Sequence, residues 1–481
     1  MPRPISISDA MDRADIFGPF FRGPSFDNWR VVLKAIFAEP MTPDELAIFA
    51  KFTGRSSAPE KPFTEAALVM GRRSGKTRFM SLIATYLAAF RAYDRFLAPG
   101  ELATVAVISQ NRQQARQAMR FISGLLNAVP TLQAGIVSED GDRIVLANRV
   151  AIEVHTASFR SARGYTFAAV ITDETAFWRD ETAANPDVEI FRALRPALST
   201  IPGAMLLNAS SPYRRTGQLW NTHKRHYGKD DARVLVWQAD TASMNSTVPA
   251  ADIAEAYEDD PISAASEYGA QFRSDIADFI GRETVEACIE DGIFERPPAR
   301  AAGRSYVAFI DAAGGSGSDS MTLAIAHREA HPTLFGEFTV VVDAVRERKP
   351  PFAPDDVVLE FSGLMKTYGI HRAESDRWGG DWVVSAFEKH RIRVSPTAKP
   401  KGDLYRELLP LINGRRCALL DSNKLVAQLC GLERRTGSSG RDSIDHSPGG
   451  HDDVANAVAG ACGIVAARRI GLNISLEAAR G

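Results

Sequence analysis

A short apolar run, Ala66-Ala67-Leu68-Val69-Met70, passes directly into Gly71-Arg72-Arg73-Ser74-Gly75-Lys76-Thr77, and a helical pattern follows from Arg78 to Ala88. A strand that empties into a small-residue loop ending in Lys-Thr is a phosphate cradle. Backbone N–H groups and the helix N-terminus face the anion, the Lys amine reaches the outer phosphates, and the Thr hydroxyl holds Mg²⁺. This order of elements commits the first half of the chain to an α/β architecture. The general pattern wants its first glycine one position earlier, where this chain has Met70. The loop from Gly71 is therefore one residue shorter and carries two arginines.

At 481 residues the chain is too long for one ordinary core, and two or three domains are expected. No apolar run approaches the roughly 18 residues that suggest a membrane span, and the N-terminus lacks the apolar stretch of a signal peptide. A protein of the cytoplasm, with no membrane partner, is the expectation. Cys288, Cys417, Cys430 and Cys462 lack paired spacing and read as reduced, buried thiols. The net charge of −2 gives no global signal for nucleic acid, so any basic surface must be local.

From the phosphate loop to about residue 240, strand patterns (102–109, 143–152, 167–172, 204–209) alternate with helical ones (113–126). Such alternation predicts a mainly parallel sheet covered by helices. Helical segments over 29–37 and 44–52 form a lead-in. Acidic, helical sequence over 250–258 and 264–272, broken by Asp-Asp-Pro at 259–261 and Pro-Pro at 297–298, reads as a bridge. Strand patterns resume at 306–311, 321–327 and 333–342, predicting a mixed sheet that opens with consecutive hairpins. The expected organisation is a helical lead-in over 1–60, a phosphate-loop domain over 61–245 and a linker over 246–300. A mixed-sheet domain over 301–470 and a tail over 471–481 follow; the residues below make the phosphate-loop domain the expected ATPase domain and the mixed-sheet domain the expected nuclease domain.

Two groups of residues carry the chemistry. In the first half, the strand Phe167–Thr172 delivers Asp173 and Glu174 at its end. Acids at the carboxyl end of a buried strand stand beside the phosphates in an open α/β sheet. Asp173 is expected to hold Mg²⁺ and Glu174 to polarise the attacking water. Arg160 and Arg163 precede this strand, and Arg163 is the favoured candidate for a finger reaching a neighbouring subunit's γ-phosphate. Polar Asn208-Ala209-Ser210-Ser211 ends another apolar strand, either as a phosphate sensor or as a plain turn.

In the second half, Asp311 ends a strand, Asp376 follows another, and Asp452-Asp453 open an Ala/Val-rich helix. Three carboxylates so distributed can converge on a pair of Mg²⁺ or Mn²⁺ ions roughly 3.5–4 Å apart, the arrangement of an RNase H-like nuclease. Periodicity does not decide between Asp452 and Asp453. Asp319, Glu374 and Asp381 rank below them, and His451 reads as a surface or capping residue. Between 389 and 416, Lys389, Arg391, Arg393, Lys399, Lys401, Arg406, Arg415 and Arg416 outnumber Asp403 and Glu407, offering a track for a phosphate backbone.

With these residues in hand, the chain resembles the large terminase subunit of tailed bacteriophages, prophages and gene-transfer particles. The resemblance rests on Gly71–Thr77, on Val170-Ile171-Thr172-Asp173-Glu174, on Asn208-Ala209-Ser210-Ser211-Pro212 and on Glu267-Tyr268-Gly269-Ala270-Gln271-Phe272. It rests equally on Phe309-Ile310-Asp311, Ser375-Asp376-Arg377 and His451-Asp452-Asp453. It implies a DNA-packaging motor acting in the bacterial host cytoplasm and absent from the finished virion. Five copies would form a ring on the portal protein of an empty capsid and work with a small terminase subunit. ATP hydrolysis would drive double-stranded DNA inward, and a two-metal nuclease would cut the concatemer. It also implies that Arg72 senses nucleotide state, that Arg163 is the trans-acting finger and that Asp453 is the third metal ligand. A helicase-like ATPase–nuclease of repair or restriction is the alternative. Against it, the chain between residue 220 and the nuclease half is only a short bridge.

Overall fold

The structure, a computed structural model, describes residues 5–157, 164–178, 186–230, 233–299, 303–331, 337–376, 380–436, 442–447 and 450–467. Arg160, Arg163 and Arg377 lie outside these, as does the side chain of Asp381. The chain divides into two compact units, with the boundary between Ser274 and Asp275. Among the described residues no helix is long and apolar enough to cross a membrane.

The first unit is built on eight strands: β1 (Glu65–Met70), β2 (Ala103–Ser109), β3 (Ile136–Glu139), β4 (Arg143–Leu146), β5 (Val150–Thr156), β6 (Thr166–Asp173), β7 (Met205–Ser210) and β8 (Val234–Ala239). Their order in the sheet is β3-β4-β5-β2-β6-β7-β1-β8. Only the β3–β4–β5 edge is antiparallel; β5, β2, β6, β7, β1 and β8 run parallel. The central strands are buried along their length, as expected of a parallel sheet covered on both faces. The lead-in helices Asp27–Phe37 and Pro43–Thr53 share this core: Trp29 stacks on Phe79 at 4.1 Å, and Phe52 packs on Trp237 at 5.4 Å.

One helix is shorter than its pattern. The stretch 264–272 reads as helical, yet the helix ends as Pro261–Glu267. The next carbonyls are spent on partners elsewhere: Arg72 N–H donates to Glu267 O and Thr241 N–H to Tyr268 O. Gly269 also sits so close to Ala265 O and the Tyr257 hydroxyl that any side chain there would collide.

In the second unit, β9 (Ile276–Asp278) precedes β10 (Tyr306–Asp311), β11 (Met321–Ala330), β12 (Phe338–Arg348), β13 (Arg372–Ser375), β14 (Arg393–Pro396) and β15 (Cys417–Ala418). The last two strands are β16 (Leu432–Thr436) and β17 (Asp442–His446). The main sheet runs β14-β13-β10-β11-β12-β15, with β10, β11 and β12 joined antiparallel and the others parallel. Strand β12 lies later than the 333–342 pattern suggests, because β11 continues to Ala330 and pairs with it as far as Arg348. A separate three-stranded sheet, β17-β16-β9, has no counterpart in the sequence reading.

Alternation on β10 decides the placement of the acids. Val307 and Phe309 join the core beneath the helix Asp453–Ala467, whereas Tyr306, Ala308 and Ile310 join the opposite core with the helix Pro354–Thr367. By the period of 2, Asp311 belongs to the face of Phe309 and so points towards the helix that begins at Asp453.

Candidate functional sites

The phosphate loop leaves β1 at the carboxyl end of the sheet, where β6 and β7 deliver Asp173, Glu174, Ser210 and Ser211. Gly71 is required there by close approach: a Cβ would stand 2.2 Å from Thr241 Oγ1 and 2.6 Å from Tyr268 O. The loop is anchored from several sides. Trp29 Nε1 donates to Ser74 O at 2.9 Å, Thr241 Oγ1 to Arg72 O at 2.7 Å and Asn245 Nδ2 to Arg73 O at 2.8 Å. The Arg72 guanidinium lies 3.4 Å from Glu267 Oε2 and is otherwise largely exposed.

Lys76 is buried, and its Nζ donates to Ser211 Oγ at 2.9 Å, to Gly71 O at 3.1 Å and to Met70 O at 3.2 Å. The same amine stands 3.2 Å from Glu174 Oε1. Thr77 Oγ1 donates to Asp173 Oδ2 at 2.9 Å. Glu174 sits in the left-handed region, with φ +53, and its Oε2 accepts from Ser211 N–H at 2.9 Å and Ser210 Oγ at 3.3 Å. A non-glycine residue held there is strained by its surroundings, a recurring property of reactive positions. Burial, and after it the neighbouring Glu174 charge, pushes the Asp173 carboxyl up to about 7. Lys76, Thr77, Asp173 and Glu174 thus meet, and Ser210 and Ser211 join them directly.

The second site is a cleft of about 450 Å³ at the end of β10, lined by Asp311, Asp319, Asp376, Asp452, Asp453, Asn456, Lys401, His446 and His451 among others. Asp376 is set beside β10 by its backbone N–H, which donates to Ile310 O at 3.1 Å. Asp453 Oδ2 accepts from Ser320 N–H at 3.0 Å. Burial, and next the Asp376 charge, raises the Asp311 carboxyl well above its ordinary range; burial also raises Asp453.

Asp452 and Asp453 both reach this cleft, but they differ in their ties. Asp452 is 2% exposed and accepts from Lys401 Nζ at 2.6 Å and from the Tyr405 hydroxyl at 2.7 Å. Lys401, counted above in a basic track, therefore serves the acids of the cleft. Others in that stretch are also paired, Lys399 with Glu407 and Arg416 with Glu337. Asp319 and His451, ranked low from sequence, stand with Asp453 in a group whose ligand atoms lie within 4.8 Å of one another. Glu374, on β13, is not among the cleft's lining residues. Sequence reasoning missed Tyr405 and Asn456. Asn456 had a usable signal: it follows Asp453 by three residues, on the same helical face.

Fold and sites together define a class: a unit with a phosphate loop at the carboxyl end of a mainly parallel sheet, followed by a mixed-sheet unit with a carboxylate cleft. Residues 67–186 match the family model of the terminase large subunit, T4-like virus type, N-terminal domain. Over those residues the first unit is similar to the N-terminal domain of large terminase subunits. Among solved structures, the HK97 bacteriophage large terminase is 16% identical, with 96% of this chain and 100% of that one covered and a TM-score of 0.43. The large terminase of a thermophilic bacteriophage, in complex with ADP, is 10% identical over 85% of this chain and 95% of its own (TM-score 0.36). The large terminase nuclease of thermophilic phage G20c is 17% identical over 37% of this chain and 94% of its own, with a TM-score of 0.31. At these values the structural likenesses carry no argument, and the resemblance rests on the family match over residues 67–186. No curated protein matches the chain.

Proposed function

We propose that the chain is the catalytic subunit of a viral DNA-packaging motor, hydrolysing ATP to move double-stranded DNA into a capsid and cutting that DNA with its second unit. The observation that carries this reading is the presence of two built sites in one chain whose first unit matches the large terminase family. In the first unit, Lys76 would exchange its carbonyl partners for the outer phosphates. Thr77 and Asp173 would hold the Mg²⁺ of the nucleotide, and Glu174 would accept a proton from the attacking water. Ser210 and Ser211, which touch Glu174 and Lys76, would report the phosphate's departure to β7. Arg163 remains the candidate trans-acting finger and Arg72 the nucleotide sensor.

In the second unit the acids offer hard oxygens, which suit Mg²⁺ or Mn²⁺. Asp311, Asp376 and Asp453 would hold the ions, with Asp452 kept beside them by Lys401 and Tyr405. When bound, such ions supply Lewis acidity and an activated water for phosphodiester cleavage. A five-membered ring on the portal protein, fed by a small terminase subunit in the host cytoplasm, completes the proposal. The test is protection of DNA from added nuclease when the chain, ATP and empty capsids with portal are combined. Protection that needs all three supports packaging. Cutting and ATP turnover without any protection would favour a repair or restriction enzyme instead.

A further inference from the structure

We propose that Asn456 supplies an uncharged oxygen donor to a divalent cation held between Asp311 and Asp453. The inference rests on the two-metal reading above and names one more residue of that site. Asn456 is 2% exposed, lines the carboxylate cleft, and lies one helical turn after Asp453. Its Nδ2 donates to Asp311 Oδ2 at 2.9 Å. With a cation bound, Asp311 is ionised and can only accept, so in that state the amide nitrogen faces Asp311. Oδ1 is then the branch turned away from Asp311, and it is buried with no hydrogen-bond partner among the described residues.

A buried carbonyl oxygen without a donor calls for a reason. Helix geometry does not provide one: the Asn456 backbone N–H is satisfied by Asp452 O at 2.7 Å, and the side chain caps nothing. A cation or its bound water does. Mg²⁺, Mn²⁺ and Ca²⁺ all accept amide carbonyls among their oxygens. An amide also suits the crowding. Asp311, Asp376, Asp452 and Asp453 already repel one another at this end of the sheet. A further carboxylate at 456 would add like charge and remove the donor that fixes Asp311. Asn does both jobs at once, orienting one ligand through Nδ2 and offering a neutral oxygen through Oδ1.

The experiment is titration of the full chain with Mn²⁺ in the absence of nucleotide, by calorimetry and electron paramagnetic resonance. Wild type is compared with Asn456→Ala and Asn456→Asp. Asn456→Ala is expected to bind Mn²⁺ about 10- to 100-fold more weakly, with ATP turnover unchanged. Asn456→Asp keeps an oxygen at the site and is expected to retain the affinity, while losing the bond to Asp311 lowers its metal-free melting temperature. An affinity for Asn456→Ala equal to wild type would overturn the inference, as would Asn456→Asp weakening as far as Asn456→Ala. If Asn456→Ala does not fold, Asn456→Leu, of similar volume, takes its place. Asp311→Asn and Asp453→Asn separate the two levels. If they leave Mn²⁺ binding intact, the metal reading has failed; if they abolish it and Asn456→Ala does not, only the role of Asn456 has.

Discussion

Asp173 shows how much a single buried acid can govern. The folded chain keeps its carboxyl protonated up to about 7, whereas in the unfolded chain the same group ionises near 3.8. Between those values the unfolded state binds fewer protons, so this group lowers the stability of the nucleotide-free protein as pH rises, and its effect levels off above about 7. A bound Mg²⁺ reverses the preference, because an adjacent cation favours the anion. Mg²⁺–nucleotide binding about one pH unit below that value is therefore expected to release close to one proton from this site. Calorimetry in two buffers of different ionisation enthalpy measures that release, and Asp173→Asn should remove it. Equal release from wild type and variant would mean that Asp173 does not face the metal. The identity of this acid was legible in the sequence, since an apolar strand led straight to it. Its tie to Thr77 and the Ser210–Ser211 contacts to Glu174 and Lys76 were not, because they depend on which strands lie side by side.

The helix Asp453–Ala467 is the element on which the carboxylate cleft depends. It settles against β10 through Gly460, where a Cβ would stand only 2.3 to 2.5 Å from the Phe309 ring. That contact lets the first turn, with Asp453 and Asn456, come down onto Asp311. Gly460→Ala should force the helix away and cost about 1–3 kcal/mol of stability in the second unit. DNA cutting should fall steeply while ATP turnover persists, and unchanged cutting would show that the close approach is dispensable. The sequence disclosed this helix through its Ala/Val-rich pattern, and β10 through its continuous apolar run ending in Asp311. It left Asp452 and Asp453 unresolved by spacing. Their difference arises from Lys401 and Tyr405 on the helix Lys401–Asn413, about 50 residues earlier. The lead-in helices were equally half-legible: their apolar faces marked them as helices, but nothing local revealed that Trp29 would hold the phosphate loop by its indole N–H. Contacts between residues distant in sequence are the part that pattern reading cannot reach.

At the scale of the whole molecule, the two proposed reactions draw on separate residues. Lys76, Thr77, Asp173 and Glu174 belong to the first compact unit, and Asp311, Asp376, Asp453 and Asn456 to the second. Each set is completed by hydrogen bonds within its own unit: Glu174 by Ser210 and Ser211, Asp311 by Asn456. Removing one set therefore leaves the other's geometry without a lost partner. Glu174→Ala deletes the acid facing Lys76 and should lower ATP turnover by about 100-fold or more, the scale of a lost general base. Metal-dependent DNA cutting should then continue near the wild-type rate. Asp311→Ala should do the reverse, abolishing cutting and sparing ATP turnover. Both variants need to be shown folded by circular dichroism, and turnover and cutting measured on the same preparations. A folded variant that loses both activities would mean that the two sites are one machine at the level of chemistry, with nucleotide state gating the cut. Because each set is completed by partners within its own unit, independent loss is the expected result.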